Sequence, residues 1–153
     1  MFQRWCLMNI EIHLRKENMD SDPEIILQFG DVTQTQKIIN QEQKLHMQGL
    51  EHNCDTELSV RRDSKELYHT SRNHHDNKIF IDKVIVDDFW EFDNSFYPPT
   101  TIFDKEYMDH LDKVGTDQWI KNTVNNTHLF FNGRLTWDIK YPVRRSFFKD
   151  LNR

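Results

Sequence analysis

Three groups of side chains in this sequence have the right atoms for chemistry. Asp82, Asp87 and Asp88 offer carboxylate oxygens, the hard ligands that calcium takes in sets of about six to eight. Their run lacks an EF-hand pattern, and an Asp-Asp pair after a strand serves equally well as a turn. The second group is aromatic. Trp90, Phe92, Phe96 and Tyr97 cluster beside a proline turn, and Trp119 follows in a polar stretch. Such rings stack on sugars or anchor protein partners. They also fill cores that are short of aliphatic residues, which is the reading for Trp90 and Trp137. The third group is His69, His74, His75 and Asp76, with His46, His52 and Cys54 upstream. Imidazole and thiolate suit zinc. Here they follow no ligand spacing, and Cys54 has no CxxC partner, so they read as surface loop histidines.

Nothing in the sequence points to catalysis. There is no GxSxG, no HExxH and no phosphate loop, and four glycines leave little for a backbone phosphate cradle. The expectation is a protein that is not an enzyme. The formal net charge of −5, with signs interspersed, argues against a general nucleic-acid binder. Arg61-Arg62 and Arg144-Arg145 read as solvated charges. Cys6 and Cys54 read as free thiols, as expected for folding in a reducing cytosol. No stretch approaches the ~20 apolar residues that cross a bilayer. The opening residues lack a secretory leader's apolar run and cleavage site, and Met8 is an alternative start directly before the first strand. Asn125-Asn126-Thr127 matches a glycosylation sequon and reads as a polar turn.

The elements that must position these residues are strands. The 153 residues make one ordinary domain, 1–153, with an N-terminal extension over 1–8. Alanine, the best helix former, is absent, while eleven Phe and four Trp supply large contact areas. Alternation predicts strands over 9–15, 24–29, 33–40, 41–50 and 56–62. Residues 63–77 form a polar surface loop. Residues 78–90 form a strong strand whose parity breaks midway, which predicts a bulge at Asp82-Lys83. Asp104 caps a short helix, giving a helical or loop insertion over 104–126. Asn132-Gly133 predicts a two-residue type I′ hairpin between 127–131 and 134–141, with Leu135, Trp137, Ile139 and Tyr141 facing inward. Many short strands without a βαβ rhythm predict an all-β antiparallel jelly-roll sandwich.

The run Ile81 to Asp88, then Tyr97-Pro98-Pro99, then Thr127 to Trp137 and Pro142-Val143, resembles small proteins encoded by marine bacteriophages. The resemblance covers residues 56–151 and is most specific in the last twenty-five. In that family the hairpin motif has glycine where this chain has Phe130, and often Asn where it has Thr127. The resemblance implies a fold similar to calcium-dependent carbohydrate-binding modules, and a virion assembled in the host cytoplasm as the setting. It supplies no catalytic residues. The resulting expectation is a non-enzymatic virion structural or accessory protein, in capsid decoration or tail attachment, whose partners are other virion proteins or further copies of itself. The alternative is a glycan-binding module recognising host surface polysaccharide, with calcium as the one metal its carboxylates suit. That alternative predicts a concave face of aromatic and acidic residues, with Trp90, Phe92, Phe96, Tyr97 and Trp119 as the ligand or partner contacts.

Overall fold

A computed structural model describes residues 7–17, 22–62, 78–94, 97–103, 128–129 and 133–148. The described strands are β1 (Leu7–Glu17), β2 (Glu24–Phe29), β3 (Val32–Lys37), β4 (Glu42–Glu51), β5 (Thr56–Arg62), β6 (Lys78–Val86), β7 (Trp90–Asp93), β8 (Thr100–Phe103), β9 (His128–Leu129) and β10 (Gly133–Ile139). They form two five-stranded antiparallel sheets. The first runs β4-β1-β6-β7, with β9 also on β6; the second runs β3-β2-β5-β10-β8. Among the described residues the helical structure is a 3-10 turn, Val143–Ser146, and no helix is long and apolar enough to cross a membrane. The helical insertion expected over 104–126 and the polar loop over 63–77 lie outside the described residues.

Alternation builds the core. Ile10, Ile12 and Leu14 from β1, Val84 and Val86 from β6, and Leu45 and Met47 from β4 point in from the first sheet. Ile25, Leu27, Phe29, Leu58, Val60, Leu135, Trp137 and Ile139 meet them from the second. Each such side chain contributes about 1.5–3 kcal/mol on burial, so the parity of each strand is strongly enforced. The broken parity of 78–90 has the expected cause. The β1–β6 register shifts between His13 and Leu14, where Asp82 and Lys83 form a bulge. Ile81 and Val84 are therefore both buried.

Three expectations are corrected. The strand over 78–90 ends at Val86, and the chain turns back so that β7 pairs with β6. Asp87 and Asp88 adopt φ of 54° and 57°, and the Phe89 N–H donates to the Val86 carbonyl at 3.1 Å. That is type I′ geometry, built from Asp residues, which tolerate the left-handed region through local hydrogen bonding. Of the expected Asn132-Gly133 hairpin, Asn132 lies outside the described residues, and the two described runs lie in different sheets. β9 pairs with β6 in the first sheet, while Gly133 opens β10 in the second, opposite Arg62 and Phe103. The chain crosses between sheets here. Burial of both runs against different partners outweighs the local turn preference. The strand ends at Ile139, so Tyr141 lies 37% exposed rather than inward; the Tyr141-Pro142 bond is cis.

Candidate functional site

The expected ligands do not converge. Asp82 sits on the bulge and accepts a hydrogen bond from Arg15 Nε at 3.1 Å. Asp87 and Asp88 lie five and six residues on, about 16 Å or more along an extended strand. Asp87 Oδ1 accepts the Asn9 N–H at 2.9 Å, and its own N–H donates to the Asn9 carbonyl, so it ties the turn to β1. Asn9 Oδ1 in turn accepts the Gly49 N–H. Among the described residues no three His, Cys, Asp or Glu side chains gather in a way that could hold a metal ion. The three carboxylates therefore do not fit a calcium site.

Of the expected aromatic contacts, Phe92 is buried, and Trp90 and Tyr97 are half-buried against the core. All three gather on Phe147, which follows the 3-10 turn: ring centroids lie 5.0 Å from Trp90, 4.9 Å from Phe92 and 4.6 Å from Tyr97. They close one side of the sandwich. The exposed rings nearby are Phe89 at 74% and Phe148 at 49%, each against Trp90. Phe96 and Trp119 lie outside the described residues, as do His69, His74, His75 and Asp76. His46 and Cys54 are exposed, as a surface reading requires. His52 is not. It is 5% exposed, edge-on to Phe29 and Tyr141, with Nε2 3.4 Å from the Ile139 carbonyl. Burial holds its pKa below the usual imidazole value, against the opposing pull of that carbonyl and of Asp87 and Asp55.

The side chains that do come together are on the outer face of the second sheet. Register lines them up in rows. Thr33 lies opposite Gln28, Gln28 opposite Ser59, Ser59 opposite Thr136 and Thr136 opposite Thr100. This is one unbroken row of four hydroxyls and a carboxamide across five strands, about 19 Å at the usual ~4.8 Å strand spacing. On one side of it Arg61 faces Arg134; on the other Glu57 faces Asp138. The small side chains at the centre, Ser59 and Thr136, are each 7% exposed. This face holds a recess of about 350 Å³ lined by Gln28, Gly30, Glu57, Ser59, Arg61 and Arg134, at the small end of the roughly 300–1,000 Å³ of ligand clefts. Gln28 donates its amide to the Gly30 carbonyl at 3.2 Å, which fixes the carboxamide. Gly30 has φ 58°, as required in the two-residue turn joining Phe29 to its partner Val32.

The outer face of the first sheet has a different chemistry. Glu11 Oε2 is 2.8 Å from His13 Nε2, and its other oxygen is 3.8 Å from His46 Nδ1. The hydrogen bond to His13 is the main reason its carboxyl sits below the usual range. Lys83 pairs with Glu91 at 3.2 Å and Arg15 with Asp82 at 3.1 Å. Arg15 also lies over the Phe80 ring, 4.2 Å from its centroid.

None of the residues of the hydroxyl row was singled out from sequence. Their signal is there as Glu57-x-Ser59-x-Arg61 and Arg134-x-Thr136-x-Asp138, two outward-facing triplets of reversed polarity. It becomes legible only once β5 and β10 are known to pair antiparallel.

No family model matches the chain, and no curated protein matches it. Among solved structures the chain is similar to the selenomethionine form of vCBM60, described with circular permutation as an evolutionary link between two families of calcium-dependent carbohydrate-binding modules. The likeness covers 86% of this chain and 90% of that one, with a TM-score of 0.53 and 13% identity. At that identity it is a likeness of fold alone: an all-β sandwich of two antiparallel sheets.

Proposed function

We propose that this chain is a non-enzymatic glycan-binding module, a jelly-roll sandwich whose ligand face is the outer surface of β2, β5, β10 and β8. The observation that carries this reading is the row Thr33, Gln28, Ser59, Thr136 and Thr100, with its recessed centre. Sugars present closely spaced hydroxyls that both donate and accept, and a fixed ladder of hydroxyls and an amide answers them in kind. The fold likeness to a carbohydrate-binding module supports the reading. The face is polar rather than aromatic, and the proposal uses no metal. A glycan array followed by calorimetry on the hits tests it. Binding in the micromolar to millimolar range, weakened by Thr136→Val and Gln28→Ala, is expected; an array without hits would defeat the proposal.

A second reading rests on a different surface. Phe89 and Phe148 flank Trp90 and leave an apolar patch at the β6–β7 turn, inside the region that resembles bacteriophage proteins. A virion accessory protein would dock to a neighbouring virion protein there. Its absence from purified virions by mass spectrometry would exclude this role.

A further inference from the structure

We infer that this face grips the interior of a linear polysaccharide, with the chain lying across the strands and running out over both margins of the sheet. This rests on the glycan-binding reading and names the kind of ligand for the same face. The hydroxyl row crosses all five strands of the second sheet, from Thr33 on β3 to Thr100 on β8. Those two strands are the outermost of that sheet. Along the row Thr33, Gln28 and Thr100 are exposed, while Ser59 and Thr136 between them are each 7% exposed. Ser59 lines the recess. Neither the Ser59 nor the Thr136 hydroxyl has a hydrogen-bond partner among the described residues. Buried hydroxyls are ordinarily hydrogen-bonded, so this central pair is set to take its partner from outside the chain.

The depth of the row decides between a chain end and a chain interior. A site for a chain end is deepest against a closing wall, where the terminal ring is enclosed. Here the deepest point is the middle, at Ser59 and Thr136, and the row rises to exposed polar side chains on both sides of it. At about 19 Å, from the ~4.8 Å spacing of strands, the row is far longer than one sugar ring. A single ring would fill the centre and leave Thr33 and Thr100 unused. A chain laid through the centre meets a hydroxyl or an amide at every strand it crosses, each able both to donate and to accept. The first sheet offers no counterpart. Its matching row is Lys44, His13, Lys83 and Asp93, four ionisable side chains without a hydroxyl among them.

The test uses the full chain and β-1,4-linked xylo-, manno- and galacto-oligosaccharides of two, four and six units, with soluble xylan, glucomannan and galactan of defined chain length, all measured by calorimetry. In at least one series affinity should rise at least tenfold from dimer to hexamer, and the parent polymer should bind several copies of the protein per chain. Thr33→Val combined with Thr100→Val, both at exposed positions, should weaken hexamer binding at least fivefold more than dimer binding. Ser59→Ala should weaken both alike. Should Ser59→Ala fold poorly, amide chemical shifts of the unaltered protein decide instead: the hexamer should move Thr33, Ser59, Thr136 and Thr100, and the dimer Ser59 and Thr136 alone. A dimer that binds as tightly as the hexamer, or a polymer that takes up no more than one copy per chain end, would overturn this inference while the glycan-binding reading stands. Hexamer binding indifferent to the Thr33 and Thr100 changes would also overturn it. If none of the three series binds, this inference falls, and the glycan array alone decides the reading beneath it.

Discussion

The two outer faces of this sandwich are built from the same kinds of residue and use them in opposite ways. On the first sheet, acids lie beside basic groups: Glu11 with the His13 and His46 rings, Asp82 with Arg15, Glu91 with Lys83. On the second, like charges are neighbours, arginine opposite arginine and acid opposite acid, separated by a row of hydroxyls. The first is not uniform, since Lys44 and Lys83 both lie beside His13. The second sets like charges opposite each other at two register positions, with Asp138 bridged in turn to Lys140 at 2.7 Å. Exposed pairs of the first kind contribute only about 0–1 kcal/mol each, so they finish a surface rather than hold the fold. The difference teaches that the count of charges on a sheet says little about a site, and that their register says more.

The strongest way to break the comparison is to fill the recess. Thr136→Trp should reduce glycan affinity by two orders of magnitude or more, about 2.8 kcal/mol, in calorimetry. Ile85→Trp at a matching outward position of the first sheet should leave it unchanged. Equal losses would show that the two faces do not differ in function.

Acid titration separates interior from surface. His52, held below its ordinary value of 6.5 by burial, accepts a proton more readily in the unfolded chain. Its contribution is complete above 6.5 and is lost as pH falls from there through the lower folded value, with a slope of at most about 1.4 kcal/mol per pH unit. Glu11, held below 4.5 chiefly by its bond to His13, contributes above 4.5 and loses that as pH falls through its folded value. Urea melts across pH 3–8 should therefore show two separate declines. His52→Phe should remove the upper one, and Glu11→Gln part of the lower, which Asp55, held below its ordinary value by the Tyr141 N–H, shares.

Smaller effects test the charge rows directly. Glu11→Gln at neutral pH should cost roughly 0.5 kcal/mol, whereas Glu57→Gln should be neutral or stabilise by a few tenths, roughly 0.2–0.5 kcal/mol, because it relieves repulsion from Asp138. Chemical denaturation reads both, and a loss at Glu57 equal to that at Glu11 would erase the contrast. Asp88→Gly should stabilise by roughly 0.5–1 kcal/mol, since the left-handed conformation costs glycine nothing.

Much of the scaffold was legible in the residues. Strands 24–29 and 56–62 form over those same residues, and the broken parity around Ile81 and Val84 located a bulge, because burial leaves a period-two pattern few alternatives. What could not be read was pairing. Asn132-Gly133 has the composition of a tight hairpin, yet the chain there passes from one sheet to the other. The two-residue turn with positive φ at glycine is at Gly30-Asp31. Assigning Gly133–Ile139 to the wrong neighbour hid Ser59 and Thr136 from each other, and with them the row. Tyr97 misled for a related reason. Its position beside acids and prolines suggested exposure, but Phe147 arrives from the far end of the chain to cover it.

Gln34 reaches from β3 in one sheet to donate its side-chain amide to the His46 carbonyl of β4 in the other, at 2.9 Å. β3 and β4 are the outermost strands on their respective sheets, and outermost strands offer unpaired backbone groups to any chain that can extend the sheet. By occupying one such carbonyl from within the molecule, and by exposing the charged Glu42 and Lys44 along the same strand, the protein makes its margin a poor template. Copies crowded side by side can then stay separate folded units, instead of joining into continuous fibrous sheets.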